Sequence, residues 1–204
     1  LEYCPNGSLQ DIVKNQGPLK GDQLIAVCKS ILQGIDFIHS NSCAHLDIKP
    51  PNILVDPYGR TKLADFGISR FVDQTENSLN HHCGTLLFMS PELITHGKYD
   101  PFKADIWALG VTFYWLATGK YPWPTRKTED TKNAIHKGLT YFPQEFQHGE
   151  LKSIIRKMLD LSPESRPSAK QLLRLSIFKN CDKNNGKLFL QKAQPAPKRT
   201  CIQT

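Results

Sequence analysis

The sequence predicts a mainly α-helical domain that contains one small β-hairpin. Apolar residues recur at helical spacing over residues 22–39, which is typical of a long amphipathic helix. The stretch "ADIWALGVTFYWLAT", from Ala104 to Thr118, is apolar on nearly every face and predicts a helix at the centre of the domain. Between these two stretches, the short apolar runs "NILV" and "TKLA" flank the turn "DPYG" and indicate a hairpin.

The remaining elements follow from local signals. Ser8 is the expected N-cap of a first short helix, and Gly17 is its expected C-terminal cap. Regular periodicity ends at about residue 180, so the globular domain is expected to span residues 1–180. Three further helices are predicted over residues 129–138, 150–160 and 168–175.

The composition is that of one globular domain. The chain has 204 residues, of which 39% are hydrophobic and 22% are charged, and this is enough apolar material for a single core. No apolar run approaches the roughly 18 residues that span a bilayer, so no transmembrane segment is expected. The start of the chain also lacks a signal-peptide pattern. The six cysteines form no Cys-x-x-Cys pair, which favours reduced thiols in an intracellular, cytoplasmic protein.

Positive charge is concentrated at the end of the chain. The formal net charge is +7, and residues 181–204 hold five basic side chains against one acidic side chain. Such a tail could touch nucleic acid or an acidic membrane surface. The favoured interpretation is a solvated, disordered tail, and no nucleic-acid partner is expected. The cluster "HHC" at residues 81–83 lacks the second ligand pair that a zinc site needs.

The stretch "HLDIKPPNIL", from His45 to Leu54, combines an acid, a lysine and an amide on a loop that two prolines keep from forming an α-helix. The hairpin should bring Asn52 close to Asp65, which follows the second strand. An amide oxygen and a carboxylate together suit a magnesium ion held between protein and phosphates.

Two further residues of this stretch suit phosphoryl transfer. Asp47 could accept a proton from an attacking hydroxyl, and Lys49 could neutralise charge on a transferring phosphoryl group. Each residue taken alone is explained as a turn-former or a surface charge. The four residues at these spacings together favour phosphoryl transfer.

Four motifs, "HLDIKPPNIL", "DFG", "CGTLLFMSPE" and "DIWALG", resemble in order and spacing the C-terminal lobe of a eukaryotic protein kinase. The resemblance covers about residues 1–178. It implies that Asp47 positions the substrate hydroxyl and that Lys49 contacts the transferred phosphate, as in the serine/threonine-specific branch. It also implies that Asn52 and Asp65 bind magnesium and that Thr85 bridges the catalytic acid and the lysine.

Three more residues receive structural roles from the resemblance. Glu92 of "SPE", which replaces the usual Ala-Pro-Glu, should pair with a buried arginine, here Arg166. Asp105 of "DIW" should anchor the backbone of the catalytic loop from the central helix.

The opening "LEYCPNGSL" resembles the hinge between the two kinase lobes. The resemblance places Leu1 at the back of the adenine pocket, the backbone of Glu2 and Cys4 at the adenine edge and Ser8 near the ribose. Leu54 belongs to the apolar surface of the same cleft. The implied cosubstrate is ATP, used with Mg²⁺.

The Gly-rich phosphate loop and the strand lysine of the family are not in this chain, because it begins at the hinge-like stretch. Residues 1–178 by themselves are therefore expected to bind ATP feebly and to be inactive. The expected function of the parent protein is that of a serine/threonine kinase acting on protein substrates. A pseudokinase that serves as an interaction module and a small-molecule phosphotransferase are the alternatives.

Leu46 departs from the family, which usually has an arginine before the catalytic aspartate. That arginine attracts a phosphate on the activation segment. Leu46 carries no charge, so phosphate on Thr75 or Ser78 would lose its main partner, unless Lys62 or Arg70 substitutes. The favoured expectation is activity that does not depend on this phosphorylation.

Overall fold

The computed structural model describes residues 3–72, 85–95, 98–144, 146 and 148–183. These described residues form four short strands, β1 (Cys43–Ala44), β2 (Ile53–Val55), β3 (Thr61–Leu63) and β4 (Arg70–Phe71). The helices are α1 (Leu9–Gln16), α2 (Gly21–Ser40), α3 (Pro91–Ile94), α4 (Pro101–Thr118), α5 (Thr128–His136), α6 (Gly149–Met158), α7 (Ala169–Leu173) and α8 (Ser176–Lys179). Among the described residues the fold is therefore helix-rich, as the sequence predicts.

Helix α4 lies at the centre of the core. Most of its residues are buried, including the polar side chains of Asp105 and Thr112. The carboxylate of Asp100 caps its N-terminus by accepting hydrogen bonds from two backbone N–H groups of the first turn. Gly119 ends the helix in the left-handed conformation, with φ of 68°, which a glycine adopts without strain. The predicted central helix is confirmed.

The hairpin of β2 and β3 packs against α2. The two strands are antiparallel, and Ile53 lies opposite Leu63. The side chain of Leu63 rests on Gly34 of α2, where a Cβ atom would lie 3.2 Å from its methyl carbon. Thr61 donates a hydrogen bond of 2.7 Å to Ser30 of the same helix. These contacts hold β3 against α2, and β2 is held there through its pairing with β3.

The structure departs from the sequence expectation in three places. Strands β1 and β4 form an antiparallel pair of two residues each, which the sequence did not predict. The helix expected over residues 168–175 ends at Leu173, and α8 follows after the extended residue Leu175, which turns Phe178 into the core. Pro50–Asn52 forms one 3-10 turn rather than an open loop. The tail from residue 184 onward lies outside the described residues.

Candidate active site

The loop that follows β1, which begins at His45, is anchored to the core by Asp105 of α4. Its two carboxylate oxygens accept hydrogen bonds from the backbone N–H groups of His45, at 2.8 Å, and Leu46, at 2.7 Å. Nε2 of His39 lies 2.9 Å from the same carboxylate. Asp105 is fully buried, and a buried carboxylate needs such partners. The expected anchor from the central helix is therefore present.

Four predicted site residues meet above this anchor. Nδ2 of Asn52 donates to Oδ2 of Asp47 at 2.8 Å and to the Asp47 backbone oxygen at 3.0 Å. Nζ of Lys49 lies 2.8 Å from the same Oδ2 of Asp47 and donates to Oγ1 of Thr85 at 3.0 Å. The ammonium of Lys49 thus joins the carboxylate of Asp47 to the hydroxyl of Thr85, which lies 36 residues further along the chain.

Asp65 is placed next to this group by the hairpin and by His45. The N–H of Ala64 donates to the backbone oxygen of Asn52 at 2.9 Å, which brings the residue before Asp65 alongside the loop. Nδ1 of His45 accepts the backbone N–H of Asp47 at 3.3 Å, so Nε2 carries the ring proton and donates it to the Ala64 oxygen at 3.1 Å. His45 therefore ties the Asp47 loop to the segment that bears Asp65.

Asn52 and Asp65 offer oxygen atoms that suit a hard divalent cation. Because Nδ2 of Asn52 is directed to Asp47, its Oδ1 is the atom left for a cation. The carboxylate of Asp65 is exposed, and within the described residues its one hydrogen bond is a 3.4 Å contact from the N–H of Gly67. In the described part of the chain no three His, Cys, Asp or Glu side chains gather into a chelating group. Magnesium shared with phosphate oxygens needs only one or two protein carboxylates, so this donor set fits it.

Three residues expected at the nucleotide, Cys4, Ser8 and Leu54, lie near the N-terminus of α1. Ser8 pairs with Leu54 of β2 in an antiparallel bridge. Oγ of Ser8 is engaged in a capping box, because it accepts the Asp11 N–H and donates to the Asp11 carboxylate at 2.6 Å. The hydrogen bonds that Oγ and the backbone N–H of Ser8 donate to the Asp11 carboxylate lower the pKa of Asp11 below its ordinary value. The Cys4 carbonyl accepts from Gly7, and the Cys4 N–H has no partner among the described residues.

Leu1 and Glu2 lie outside the described residues, as do Thr75, Ser78 and the "HHC" cluster at residues 81–83. The predictions made for them stay predictions.

Arg166 and Glu92 form the expected buried pair. Both terminal nitrogens of Arg166 donate to the Glu92 carboxylate, at 2.6 and 2.8 Å. Nε of Arg166 also donates to the Asp160 backbone oxygen, and its guanidinium lies over the ring of Trp107. Since Arg166 is 1% exposed, these bonds replace its hydration. The pair fixes α3, which follows Thr85, to the central helix.

Leu46 packs into a small apolar cluster of the described residues. The cluster joins it to Val72 after β4, Leu93 of α3 and Tyr99 before α4, and Leu46 is 8% exposed. Its φ of 65° is left-handed, which is uncommon for a leucine. The leucine at this position therefore serves packing in this cluster.

Two residues near the site, His45 and His39, have roles that the sequence does not predict. His45 lies within the motif and His39 near the end of α2, and no local pattern assigns either of them a hydrogen-bond partner. The signal for both was Asp105, since a carboxylate in an otherwise apolar helix requires hydrogen-bond donors from elsewhere. Sequence alone does not say which donors reach it.

Comparison with known proteins shows the family of the chain. The protein kinase domain family matches residues 1–178. Mitogen-activated protein kinase kinase 1 of Arabidopsis thaliana is 31% identical over 97% of this chain and 59% of its own length. Sperm motility kinase 2B of Mus musculus is 32% identical over 85% of this chain and 35% of its own length. CBL-interacting serine/threonine-protein kinase 15 of Arabidopsis thaliana is 32% identical over 88% of this chain and 42% of its own length.

The chain belongs to the protein kinase domain family, within the eukaryotic protein kinases. This membership favours a protein kinase over the small-molecule phosphotransferase that the sequence left as an alternative. The chain spans 35% to 59% of the length of the three relatives named above. None of the helices in the described part of the chain has the length and apolar character that crossing a membrane requires.

Proposed function

We propose that this chain supplies the C-terminal lobe of a serine/threonine protein kinase, which transfers the γ-phosphate of ATP to Ser or Thr hydroxyls of proteins. The observation that carries the proposal is the position of Lys49, whose ammonium lies between the Asp47 carboxylate and the Thr85 hydroxyl. A lysine two residues after the acid, paired with this threonine, is the feature that the resemblance links to serine/threonine specificity.

Asp47 is the proposed catalytic base. Its Oδ2 accepts hydrogen bonds from Asn52 and Lys49, which fix the direction of the carboxylate. An Asp held in this way can orient a substrate hydroxyl and accept its proton. The Lys49 ammonium is close to the Asp47 carboxylate, where a transferring phosphoryl group would approach the substrate hydroxyl. Lys49 could move to that phosphoryl group and neutralise the negative charge on it.

Asn52 and Asp65 are the proposed magnesium ligands, and bound Mg²⁺ would neutralise charge on the phosphates of ATP. Oδ1 of Asn52 is held in place through the bonds of its amide nitrogen, while the exposed Asp65 carboxylate is open to the cleft. The N–H of Cys4 is the proposed donor to the adenine edge, together with the backbone of Glu2. Ser8 and Leu54 would line the same pocket.

The pseudokinase alternative is less well supported than catalysis. A pseudokinase has no need to keep acid, lysine, amide and threonine in one hydrogen-bonded group, yet Asp47, Lys49, Asn52 and Thr85 form such a group. The intact Asp65 favours nucleotide chemistry for the same reason.

The test uses the protein expressed at its natural full length. Asp47→Ala should remove most phosphate transfer to Ser and Thr peptides while Mg–ATP affinity stays nearly unchanged, because Asp47 acts on the hydroxyl. Asp65→Ala should weaken Mg–ATP binding itself, because it removes a metal ligand. Radiolabel transfer to Ser-only, Thr-only and Tyr-only peptide libraries measures the first effect, and nucleotide titration measures the second.

Asp22→Ala, on the exposed first turn of α2, is the matched control and should leave both measurements unchanged. An Asp47 variant as active as the control would refute the catalytic role. Equal labelling of Tyr-only peptides would refute the assigned specificity.

A further inference from the structure

Helix α5 presents one charged face to solvent. Its buried residues, Thr131, Ala134 and Ile135, hold it against α3 and the core. A helix turns by about 100° per residue, so five exposed positions fall within an arc of about 120° that has Asn133 at its centre. This exposed surface, the α5 face, is formed by Glu129, Asp130, Asn133, His136 and Lys137.

The charges of the α5 face form two stripes. Asp130 and Lys137 are seven residues apart, which is about two helical turns, so they lie on the same side of Asn133. Glu129 and His136 have the same spacing and lie on its other side. In both stripes the acid is in the first turn and the basic residue is at the C-terminal end, where Lys137 keeps a right-handed helical backbone. The α5 face is therefore acidic at one end and basic at the other.

Such a face is complementary to itself. When two copies of α5 pack antiparallel about a twofold axis beside Asn133, Asp130 of each copy lies opposite Lys137 of the other copy. Glu129 meets His136 in the same way, and the imidazole ring offers an N–H donor in either protonation state. A parallel pair would instead set the acidic ends against each other, and like charges across an interface are unfavourable. The charge pattern thus selects one arrangement of two copies.

Two exposed leucines lie at the basic end of the α5 face. Leu139 is 58% exposed and Leu161 is 44% exposed. A Cβ atom added at Gly138 would lie 3.2 Å from a methyl carbon of Leu161, so Leu161 borders the residue that precedes Leu139. Exposed ion pairs alone contribute little to association, whereas burial of apolar side chains beside them adds to it.

The α5 face exists before any partner binds. Oγ1 of Thr131 donates to the Pro124 backbone oxygen at 2.8 Å, which ties the helix to the segment before it. The ion pair of Glu129 with Lys132, at 3.5 Å, is exposed and therefore weak, so Glu129 stays able to meet a partner. Little conformational freedom is left to be lost on association.

We propose that the α5 face binds a second copy of the same chain and forms an antiparallel, twofold-symmetric homodimer. One helix and two leucines from each copy make a small contact, so the dimer is expected to be weak. The charge pattern favours a second copy over a different protein, because the face carries its own complement. The α5 face includes no residue of the Asp47 group, and the proposal does not depend on the kinase reaction.

Salt dependence tests the role of the charges. Sedimentation equilibrium of the natural full-length protein should show a monomer–dimer equilibrium. Its dissociation constant should rise at least tenfold between about 0.1 M and about 1 M NaCl, because the Debye length falls from about 10 Å to about 3 Å. A protein that stays monomeric at every concentration, or a dimer that salt does not weaken, would overturn the proposal.

Charge reversal tests the pairing itself. Glu129→Lys with Asp130→Lys makes both ends of the α5 face basic, and His136→Glu with Lys137→Glu makes both ends acidic. Each double variant alone should dimerise at least tenfold more weakly than the unmodified protein, because like charges then face each other. An equimolar mixture of the two should regain the dimer, since every opposed pair then has opposite charges. A mixture that associates no better than either variant alone would refute the pairing.

Two further variants locate the contact. Asn133→Lys places like charges on both sides of the twofold axis and leaves the helix ends unchanged, so it should also weaken the dimer at least tenfold. Lys170→Glu with Arg174→Glu, at exposed positions of α7 and its C-cap, reverses two charges elsewhere and should leave the dissociation constant unchanged. Circular dichroism melting confirms that each variant is folded. Folded variants of the α5 face that dimerise as the unmodified protein does would place the contact elsewhere and refute this interface.

Discussion

Leu46 and Asp65 both have left-handed backbone conformations, with φ of 65° and 62°, on either side of the Asp47 group. Such residues cost about 1–3 kcal/mol each and persist only where the surroundings hold them. Leu46 is held by the hydrogen bond from its N–H to Asp105 and by its burial among Val72 and Leu93. Neither the hydrogen bond to Asp105 nor this packing involves a charged side chain of the activation segment, which runs from Asp65 to Glu92. The conformation of the catalytic loop is therefore set from the core side.

Leu46 leads to a prediction about regulation at the residue scale. Because the side chain before Asp47 is apolar and buried, phosphate on Thr75 or Ser78 has no cation at this position to bind. We expect the full-length protein, stripped by phosphatase, to keep its peptide phosphorylation rate within tenfold of the untreated enzyme. Tenfold corresponds to about 1.4 kcal/mol in the barrier.

Replacing Thr75 and Ser78 together by alanine is the control for phosphatase acting elsewhere, and it should also leave the rate within tenfold. A larger fall in both experiments would show that phosphate still orders this segment and that a basic residue such as Arg70 replaces the missing arginine.

At the scale of elements, the hairpin depends on Asp56 at its turn. The fully buried Asp56 carboxylate accepts the backbone N–H groups of Tyr58 and Arg60 and Nε of Arg60, all at 2.7–2.9 Å. Gly59 has φ of 80°, which the turn requires. Burial acts to raise the pKa of Asp56, but the bonds from Arg60 and Tyr58 outweigh it and hold the pKa below its ordinary value of 3.8. This turn fixes the pairing of β2 with β3, and the paired strands bring Asn52 and Asp65 close together.

Asp56→Ala should therefore lower the free energy of unfolding by about 1–3 kcal/mol at neutral pH, because the backbone N–H groups of Tyr58 and Arg60 and the Arg60 guanidinium lose their common acceptor. A depressed pKa in the folded state means that the stabilisation is complete above 3.8 and is lost as the pH falls through the lower folded value. The stability difference between the two proteins should accordingly shrink in that acidic range. Urea unfolding at a series of pH values measures it.

Asp130→Ala, at the exposed start of α5, is the control for the loss of a carboxylate as such. It should change the free energy of unfolding little at neutral pH. A difference between the unmodified protein and Asp56→Ala that stayed constant down to the lowest pH would contradict the assigned role of the ionised carboxylate.

At the scale of the whole molecule, the Arg166–Glu92 pair connects segments 74 residues apart. It joins α3, which follows the Thr85 segment, to the loop before α7 and, through Lys103 and Trp107, to α4. Removing one partner would leave the other charge buried and unpaired, which costs far more than losing a surface pair.

We expect Glu92→Ala to lower the free energy of unfolding by about 3–5 kcal/mol. The exposed Glu129–Lys132 pair, at 3.5 Å, is the matched control, and Glu129→Ala should cost less than about 1 kcal/mol. Denaturant unfolding of both variants measures the difference. Similar costs for the two would show that the buried pair contributes no more than a surface ion pair.

The sequence by itself determined the elements with strong local signals. The periodicity of α2, the apolar run of α4, the capping residues of α1 and the turn of the hairpin depend on neighbours within a few residues, so each could be predicted. The motif residues Asp47, Asn52 and Asp65 could be named, because the hairpin between them is itself local.

Only the tertiary structure decided how distant residues meet. The two-residue pairing of β1 with β4, the break between α7 and α8 and the contact of Lys49 with Thr85 depend on how the core packs around α4. The role of His45 and the burial of Leu46 have the same origin. Local patterns fix backbone conformation over one or two turns, whereas these features arise from the burial of apolar surface and buried polar groups contributed by segments far apart in the chain.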